Sequence, residues 1–171
     1  MAKTTFSGPV RSLNGFINFG PTAAVSLTAN ATLTMNNHAG RTLLCNLAAG
    51  EFTLPTITTG SAGESAGAND PNVASNLGAV YTFIVQTAFT AGEIKTDGTD
   101  LLIGYARSLM TTAATGKDWF PGGSDTTMSF DGSTTGGIIG TYVQVTATAD
   151  DEYFVDAIIK SSGSQATPFG T

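Results

Sequence analysis

The 171-residue chain has one cysteine, one histidine and few charged side chains. A single cysteine excludes an internal disulfide. One histidine and one cysteine cannot form the ligand clusters that zinc prefers, so we expect no metal and no cofactor. No segment is long and apolar enough to span a bilayer, which argues against a membrane partner.

Charge of either sign is scarce. Charged residues make up 12% of the chain, with seven Lys and Arg against 13 Asp and Glu, for a net charge of −6. Nucleic-acid binding needs a basic patch that neutralises phosphates, and the seven cations form no run, so we expect no nucleic-acid partner. The N-terminus lacks an apolar core followed by a cleavage site, which predicts synthesis in a cytoplasm.

Short alternating segments and turn residues are abundant instead. Hydrophobic residues make up 41% of the chain and 21 positions are Gly. This composition, with its excess of Thr, predicts an all-β protein rather than a disordered one. The spacing of the strands predicts a single β-sandwich or jelly-roll-like domain. The clearest strands are "AVYTFIVQT" (79–87), "TYVQVTATA" (141–149) and "EYFVDAII" (152–159), and weaker ones are predicted at 23–28, 31–35, 41–47, 51–54, 93–97, 101–105 and 126–131.

Turn chemistry separates these strands. The Asp-Gly pairs in "TDGTD" (96–100) and "FDGST" (130–134) predict tight hairpins, because Gly supplies a positive φ. "ADDE" (149–152) predicts another hairpin, and "NNH" (36–38) predicts a hairpin turn with an exposed histidine.

The chain divides into a β domain and two arms. We predict an N-terminal arm (1–21), a β-sandwich domain (22–160) and a C-terminal tail (161–171). Both end segments mix small polar residues with aromatic ones and resemble extended arms more than core strands. Two segments, 58–78 and 106–125, are too long for ordinary hairpin loops.

His38 and Cys45 are the strongest candidates for a nucleophile and its base. They lie seven positions apart, so a regular strand places them on opposite faces. Leu43 and Leu47 share the face of Cys45, and an apolar neighbourhood makes a thiol inert. We therefore interpret Cys45 as a core residue and His38 as a loop residue.

Acidic residues offer weaker candidates. Asp97 with Asp100, or Asp150 and Asp151 with Glu152, carry oxygens that suit calcium, but neither group matches the twelve-residue calcium loop. Asp is common in β-turns because its carboxylate binds the local backbone, and we favour that role. Thirteen acids also give many pairs for a glycosidase, and the sequence singles out none.

Several motifs together resemble one family. The sequence is similar to capsid decoration, or cement, proteins of tailed bacteriophages, which are small β-rich proteins on the outer face of a head. The segments that carry the resemblance occur in order along most of the chain: "FSGPVRSLNGF" (6–16), "ATLTMNNHAGRTLLCNLAAGEFTLPTIT" (31–58), "LGAVYTFIV" (77–85), "IKTDGTDLLIGYA" (94–106), "FDGSTTGGIIGTYVQVTA" (130–147) and "ATPF" (166–169).

This resemblance implies a structural protein with no catalytic residues. Its implied partner is the major capsid protein, its implied place is the outer capsid surface of the virion, and its implied assembly is a homotrimer. We expect the capsid or subunit contacts to come from aromatic and apolar residues in the N-terminal arm and the second long loop, together with one arginine. These residues are Phe6, Val10, Arg11, Phe16, Phe19, Trp119 and Phe120.

Two other functions stay open at this stage. A carbohydrate- or receptor-binding module of a phage head or tail fibre is the first, although the heptads of a coiled-coil shaft are absent from the sequence. Trp119 and Phe120, just before Pro121, suit an aromatic sugar-binding platform. We favour a loop anchor folded onto the sandwich, or a contact to a neighbouring subunit, because loop aromatics usually bury themselves. A glycan-degrading enzyme is the second.

Overall fold

The protein is an all-β fold of two sheets, as the sequence predicts. The computed structural model describes residues 23–58, 75–112 and 115–171. In chain order the described elements are β1 (Ala24–Leu27), β2 (Ala31–Thr32), α1 (Met35–His38), β3 (Thr42–Cys45), β4 (Glu51–Thr53), β5 (Val80–Val85), β6 (Gly92–Lys95), β7 (Leu101–Met110), β8 (Gly116–Trp119), β9 (Thr127–Phe130), β10 (Tyr142–Ala149), β11 (Glu152–Ser161) and β12 (Phe169–Gly170).

The first half of the chain alternates between the sheets. Sheet A has seven strands in the order β1-β3-β5-β10-β11-β7-β8, and sheet B has five in the order β12-β9-β6-β4-β2. Strands β1, β3 and β5 run parallel in sheet A, and β2, β4 and β6 run parallel in sheet B. The chain thus makes three turns, each with one strand per sheet. Antiparallel strands β10 and β9 then extend the two sheets beyond β5 and β6.

Alternation of side chains places the core between the sheets. Tyr81, Phe83 and Val85 of β5 are buried, and the residues between them are half-buried. Strands β10 and β11 show the same alternation, and the sequence predicts all three patterns. The inward residues of these two strands are Val143, Val145, Ala147, Tyr153, Val155, Ala157 and Ile159.

Aromatic rings join the two layers. Phe52 of β4 stacks on Phe83 of β5 with ring centroids 6.3 Å apart, and Phe89 stacks on Phe130 at 5.6 Å. All four side chains are almost fully buried. Each contributes roughly 1.5–3 kcal/mol by burial alone, so this cluster is a main source of contact between the sheets.

The Asp-Gly turns form as predicted, but they do not close hairpins. Gly98 and Gly132 have positive φ angles of 96° and 72°. However, β6 and β7 on either side of Gly98 lie in different sheets, as do β9 and β10 around Gly132. The hairpin prediction is therefore wrong at both turns, because a turn signal does not specify which strands pair. The hairpin at 149–152 is confirmed, since β10 pairs with β11.

The predicted long loop at 106–125 is largely a hairpin. Strand β7 continues to Met110, and Ala106 to Leu109 pair with β8. The loop prediction fails because Arg107, Ser108 and Lys117 are polar, so these strands lack a clear alternation of apolar and polar residues in the sequence.

Near the N-terminal end, the predicted strand 31–35 stops at Thr32, and "NNH" lies in helix α1 rather than in a hairpin turn.

The C-terminal tail contributes a strand to sheet B, so the prediction of an extended arm without a core strand is wrong for this end. Strand β12 pairs with β9, and Phe169 is 7% exposed. The Gln165 amide donates to the backbone oxygen of Ser108 at 3.1 Å. The small polar residues around Phe169 conceal this strand in the sequence. The predicted N-terminal arm, 1–21, and residues 59–74 of the first long loop lie outside the described residues.

Candidate functional site

The outer face of sheet A carries rows of apolar side chains. Neighbouring strands place Leu44 beside Ile84, Ile84 beside Tyr142, and Tyr142 beside Ile158. One row of four apolar residues therefore crosses β3, β5, β10 and β11. Each lies between core residues of its own strand and so points away from the core.

A second apolar row lies four residues further along the strands. Val80 is beside Thr146, Thr146 beside Phe154, and Phe154 beside Ile103. Phe154 also meets Tyr105 edge-to-face, with ring centroids 6.4 Å apart. We call these residues together the apolar face: Leu44, Val80, Ile84, Ile103, Tyr105, Tyr142, Phe154 and Ile158.

A polar row separates the two apolar rows. Thr42 pairs with Thr82, Thr82 with Gln144, and Gln144 with Asp156. The Gln144 amide donates to the Thr82 hydroxyl at 3.4 Å. The Asp156 carboxylate accepts a hydrogen bond from the Tyr105 hydroxyl, which raises the pKa of that phenol. The row therefore presents mainly hydroxyl and amide groups.

The outer face of sheet B is different. It carries Glu51, Thr53, Glu93, Lys95 and Ser129, which pair across β4, β6 and β9. The Lys95 ammonium forms ion pairs with the carboxylates of Glu51 and Glu93. One outer face of the sandwich is thus charged and suited to water, whereas the other is apolar.

Exposure is greatest where the apolar face meets β7 and β8. Tyr105 is 37% exposed, Ile158 46% and Leu109, further along β7, 42%. Phe120, just after β8, is 70% exposed. A bidentate ion pair between Arg107 and Asp118, with N–O distances of 2.8 and 3.5 Å, lies among them. Exposed aromatic and branched side chains around an arginine are typical of protein contact sites.

The two predicted contact residues at the end of β8, Trp119 and Phe120, behave differently. Trp119 pairs with the buried Ala106, so its ring points inward and packs against the core. Its indole Nε1 is buried and has no hydrogen-bond partner, and the Lys117 ammonium lies 5.5 Å from the ring centroid. Phe120 points to solvent. Of this pair, Phe120 is the residue available to a partner.

Cys45 is a core residue, as predicted. Its side chain is fully buried in sheet A, and burial raises the pKa of the thiol to about 12. His38 lies in α1, where its Nδ1 accepts a hydrogen bond from the Thr34 amide at 2.9 Å. His38 Nδ1 is therefore the hydrogen-bond acceptor for the Thr34 backbone amide, just before this short helix.

The acids of the turns bind their own backbone. The Asp97 carboxylate accepts hydrogen bonds from the Thr99 amide at 2.9 Å, the Thr99 hydroxyl at 2.7 Å and the Thr56 hydroxyl at 2.5 Å. Burial alone would raise the pKa of Asp97, but these bonds outweigh it and hold the pKa at about 2. The preference for turn acids is confirmed here.

The second acidic group lies beside the first. The Leu101 amide donates to the Asp151 carbonyl at 2.8 Å, which brings the turn 149–152 next to Asp97 and Asp100. Within the three described ranges, no group of three or more His, Cys, Asp or Glu is placed to hold a metal ion. A weak calcium site at Asp150, Asp151 and Glu152 therefore gains no support.

A shallow groove of about 370 Å³ lies on the opposite side of the sandwich. Its polar groups are engaged nearby: the Asp131 carboxylate accepts from the Ser133 and Thr135 amides at 2.8 and 3.0 Å. Phe130 in its wall is 2% exposed and offers no stacking surface. The groove therefore presents few free groups to a ligand. It is lined by Thr90, Ala91, Gly92, Glu93, Ser129, Phe130, Asp131 and Thr135.

The five contact residues predicted in the N-terminal arm lie outside the described residues, and their role stays a prediction. They are Phe6, Val10, Arg11, Phe16 and Phe19. In the described ranges, no helix has the length and hydropathy needed to cross a membrane.

The apolar face is the site that the sequence analysis missed. A signal was present: "YTFIV" (81–85) is nearly continuous in apolar residues, and such strands are typical of sheets covered on both faces.

A scan against protein-family models, a search of curated proteins and a search of solved structures each find no match to this chain.

Proposed function

We propose that this chain is a structural protein of a tailed-phage particle that decorates and stabilises the outer surface of the capsid. The observation that carries the proposal is the contrast between the apolar outer face of sheet A and the charged outer face of sheet B. A decoration protein needs one side that binds the shell and another that stays in water. The proposed partner is the major capsid protein.

The size of the apolar face suits a protein partner. Strands lie about 4.8 Å apart and alternate residues about 6.8 Å apart, so five strands and three rows, the polar row included, cover roughly 500 Å². A standard protein interface buries about 800 Å² per partner, and larger exposed apolar patches are typical of binding surfaces. The face is thus of the order of one side of such an interface.

The sheet beneath the face supports this use. Seven strands form one hydrogen-bonded layer, and the inward residues of β5, β10 and β11 are fully buried. A layer fixed in this way orders its outer side chains before binding, which lowers the entropic cost of association. Decoration requires no catalytic group, cofactor or metal.

Particles that lack the protein provide the test. Purified Ile84→Lys should bind such particles 10- to 100-fold more weakly than the unchanged protein, because it replaces roughly 1.5–3 kcal/mol of apolar burial by a charge. Thr53→Lys, on the outer face of sheet B, is the matched control and should bind normally. Equal occupancy of both variants, each shown to be folded, would contradict a role for the apolar face.

The N-terminal arm is the second proposed anchor. Phe6, Phe16 and Phe19 lie among residues that break regular structure, and each contributes roughly 1.5–3 kcal/mol if it is buried in the shell. A chain without residues 1–19 should fold and bind particles more weakly than the full chain. Unchanged binding of the folded truncated protein would assign anchoring to the sandwich alone.

A glycan- or receptor-binding module is the alternative. Phe120 and Tyr105 favour it, because exposed rings on one side of a sheet can stack on sugars. Glycan-array binding that disappears in Phe120→Ala, together with normal particle occupancy, would replace decoration by recognition.

A further inference from the structure

The end of the sandwich at β1 and β2 is the clearest feature that the capsid proposal leaves unexplained. Strand β1 is the last strand of sheet A on one side, and β2 is the last strand of sheet B on the same side. We call each turn of the chain through both sheets a rung, so β1 and β2 form the first rung and β3 and β4 the second. The outer edges of β1 and β2 together are the open edge.

The open edge has backbone groups that no described strand pairs. The Thr42 amide of β3 donates to the Ala23 carbonyl at 3.1 Å, so Ala23 directs its backbone groups towards β3. These groups alternate in direction along a strand, and Ala24 and Ser26 therefore direct theirs away from β3. On that side, sheet A has no further strand in the described part of the chain.

The open edge also lacks the usual protection of an edge strand. Residues 24–34 contain no charged residue, no Pro and no Gly. The opposite edge of sheet A, β8, carries Lys117 and Asp118. An uncharged edge strand is a template for pairing with another extended segment.

The inward side chains of the first rung are less covered than those of the second. Val25 pairs with Leu43, and Ala31 pairs with Phe52. Leu43 and Phe52 are 0% exposed, whereas Val25 and Ala31 are only half-buried, although they pack against the same core. The core is thus open at this end, and one more rung would cover it.

The sequence that leads into β1 has the pattern of such a rung. After Val25, the buried or half-buried inward residues of the first rung are Leu27, Ala31 and Leu33. Fourteen positions earlier, at identical spacing, the sequence has three apolar residues: Leu13, Ile17 and Phe19. Arg11 matches Val25, and its aliphatic part can cover an apolar neighbour while the guanidinium reaches water.

The connection to β1 is long enough. A further rung that ends at Phe19 must cross from sheet B to sheet A, a distance of about 10 Å. The five steps from Phe19 to Ala24 span up to about 16 Å. Gly20 and Pro21 lie in this connection, and Gly-Pro is typical of a turn.

We infer that the open edge binds residues 10–19 of the same chain as an additional rung. Direct attachment to β1 favours the same chain over a second copy, because a short linker gives an effective concentration of about millimolar. Phe19 then belongs to the sandwich. Phe16 matches the exposed Asn30 and stays available to the shell together with Phe6. This inference does not rest on the proposed function.

Amide hydrogen exchange, measured by NMR on the full chain in solution, tests the inference. The Ser26 amide should exchange slowly in the unchanged chain, because the added rung supplies its acceptor. Phe19→Asp should raise the exchange rate of Ser26 about tenfold or more. Phe16→Asp is the matched control and should leave the rate unchanged. The Val145 amide in β10 should exchange slowly in both variants, which shows that the sandwich is folded.

Three results would overturn the inference. The first is fast exchange of Ser26 in the unchanged chain, and the second is an equal effect of Phe16→Asp and Phe19→Asp. If Phe19→Asp does not fold, Phe19→Ser and Phe16→Ser give the same comparison. The third concerns the source of the segment: ¹⁵N-labelled Phe19→Asp is refolded together with an excess of the unlabelled unchanged chain. Its Ser26 amide should still exchange fast, and protection there would assign the segment to a second copy.

Discussion

At the scale of single residues, burial determines the chemistry of the rare side chains. Cys45 is the only cysteine, yet its thiol lies in the core, where its pKa is raised to about 12 by burial. A thiol that stays protonated is neither a nucleophile nor a metal ligand. The residue that looks most reactive in the sequence is therefore a packing residue in the fold.

Replacement of Cys45 checks this role. Cys45→Ser should lower the free energy of unfolding by about 1 kcal/mol, because it places a hydroxyl among apolar groups. Particle binding should be unchanged. Thiol reagents should modify Cys45 only after unfolding, which an absorbance assay with and without denaturant measures. Loss of particle binding by a folded Cys45→Ser protein would contradict the structural role.

The turn acids predict how stability depends on pH. Hydrogen bonds hold the pKa of Asp97 and of Asp131 at about 2, below the usual 3.8, although burial opposes the shift. A lowered folded-state pKa stabilises the protein above pH 4, and this stability is lost as the pH falls towards 2. Thermal unfolding between pH 2 and 7 should show that loss, and Asp97→Asn combined with Asp131→Asn should flatten the profile. An unchanged profile would show that other groups govern it.

Asp100 should behave in the opposite way. Its side chain is fully buried, Oδ2 accepts from the Ile57 amide at 2.9 Å, and Oδ1 has no partner. Burial first, and the neighbouring acids second, raise its pKa. A raised folded-state pKa gives a contribution that is present at low pH and lost as the pH rises. Asp100→Asn should therefore cost less stability at pH 8 than Asp97→Asn. An equal or larger cost, measured by urea unfolding, would reject this interpretation.

At the scale of elements, the alternation of side chains predicts most strands, but not their neighbours. Residues 79–87, 141–149 and 152–159 form strands within one or two residues of the predicted limits. The parallel pairing of β1, β3 and β5 is not predictable in this way, because alternation identifies a face and not a partner.

Strand β8 is missed because an exposed edge strand with Lys117 and Asp118 carries little apolar signal. Charged residues on a short edge strand are a common protection against edge pairing.

Strand β7 contains a position that only glycine fits. Gly104 has a φ of 100°, and a Cβ there would lie 2.2 Å from the Val155 carbonyl oxygen of β11. Gly104→Ala should therefore lower stability by more than about 1 kcal/mol, since both the backbone angle and the neighbouring strand oppose a side chain. Gly123→Ala is a matched control, because no atom lies within 4 Å of its Cβ position. Equal midpoints in urea for both variants would contradict this geometry.

The last strand gives a further prediction at this scale. Phe169 is 7% exposed and extends sheet B through β12. Phe169→Ala should lower the free energy of unfolding by about 3 kcal/mol through loss of apolar burial and a residual cavity. Calorimetry checks this value. A decrease in the free energy of unfolding of less than about 0.5 kcal/mol would indicate that the C-terminal tail is only loosely attached.

At the scale of the whole molecule, the two outer faces of the sandwich differ in polarity. The sequence predicts an all-β fold because each strand is short and amphipathic or apolar. It does not reveal the apolar face, since Leu44, Ile84, Tyr142 and Ile158 become neighbours only through pairing across four strands. Long-range pairing of this kind depends on the packing of the entire core and leaves no local signature. The five contact residues of the N-terminal arm stay a prediction.

The central claim is that the outer face of sheet A contacts the particle. The most direct measurement is a density map of intact particles that carry the protein, at a resolution that distinguishes the two sheets. The account predicts that Leu44, Ile84 and Tyr142 lie against the shell, while Glu51, Glu93 and Lys95 on sheet B face solvent. A map with sheet B on the shell and the apolar face in solvent would contradict it.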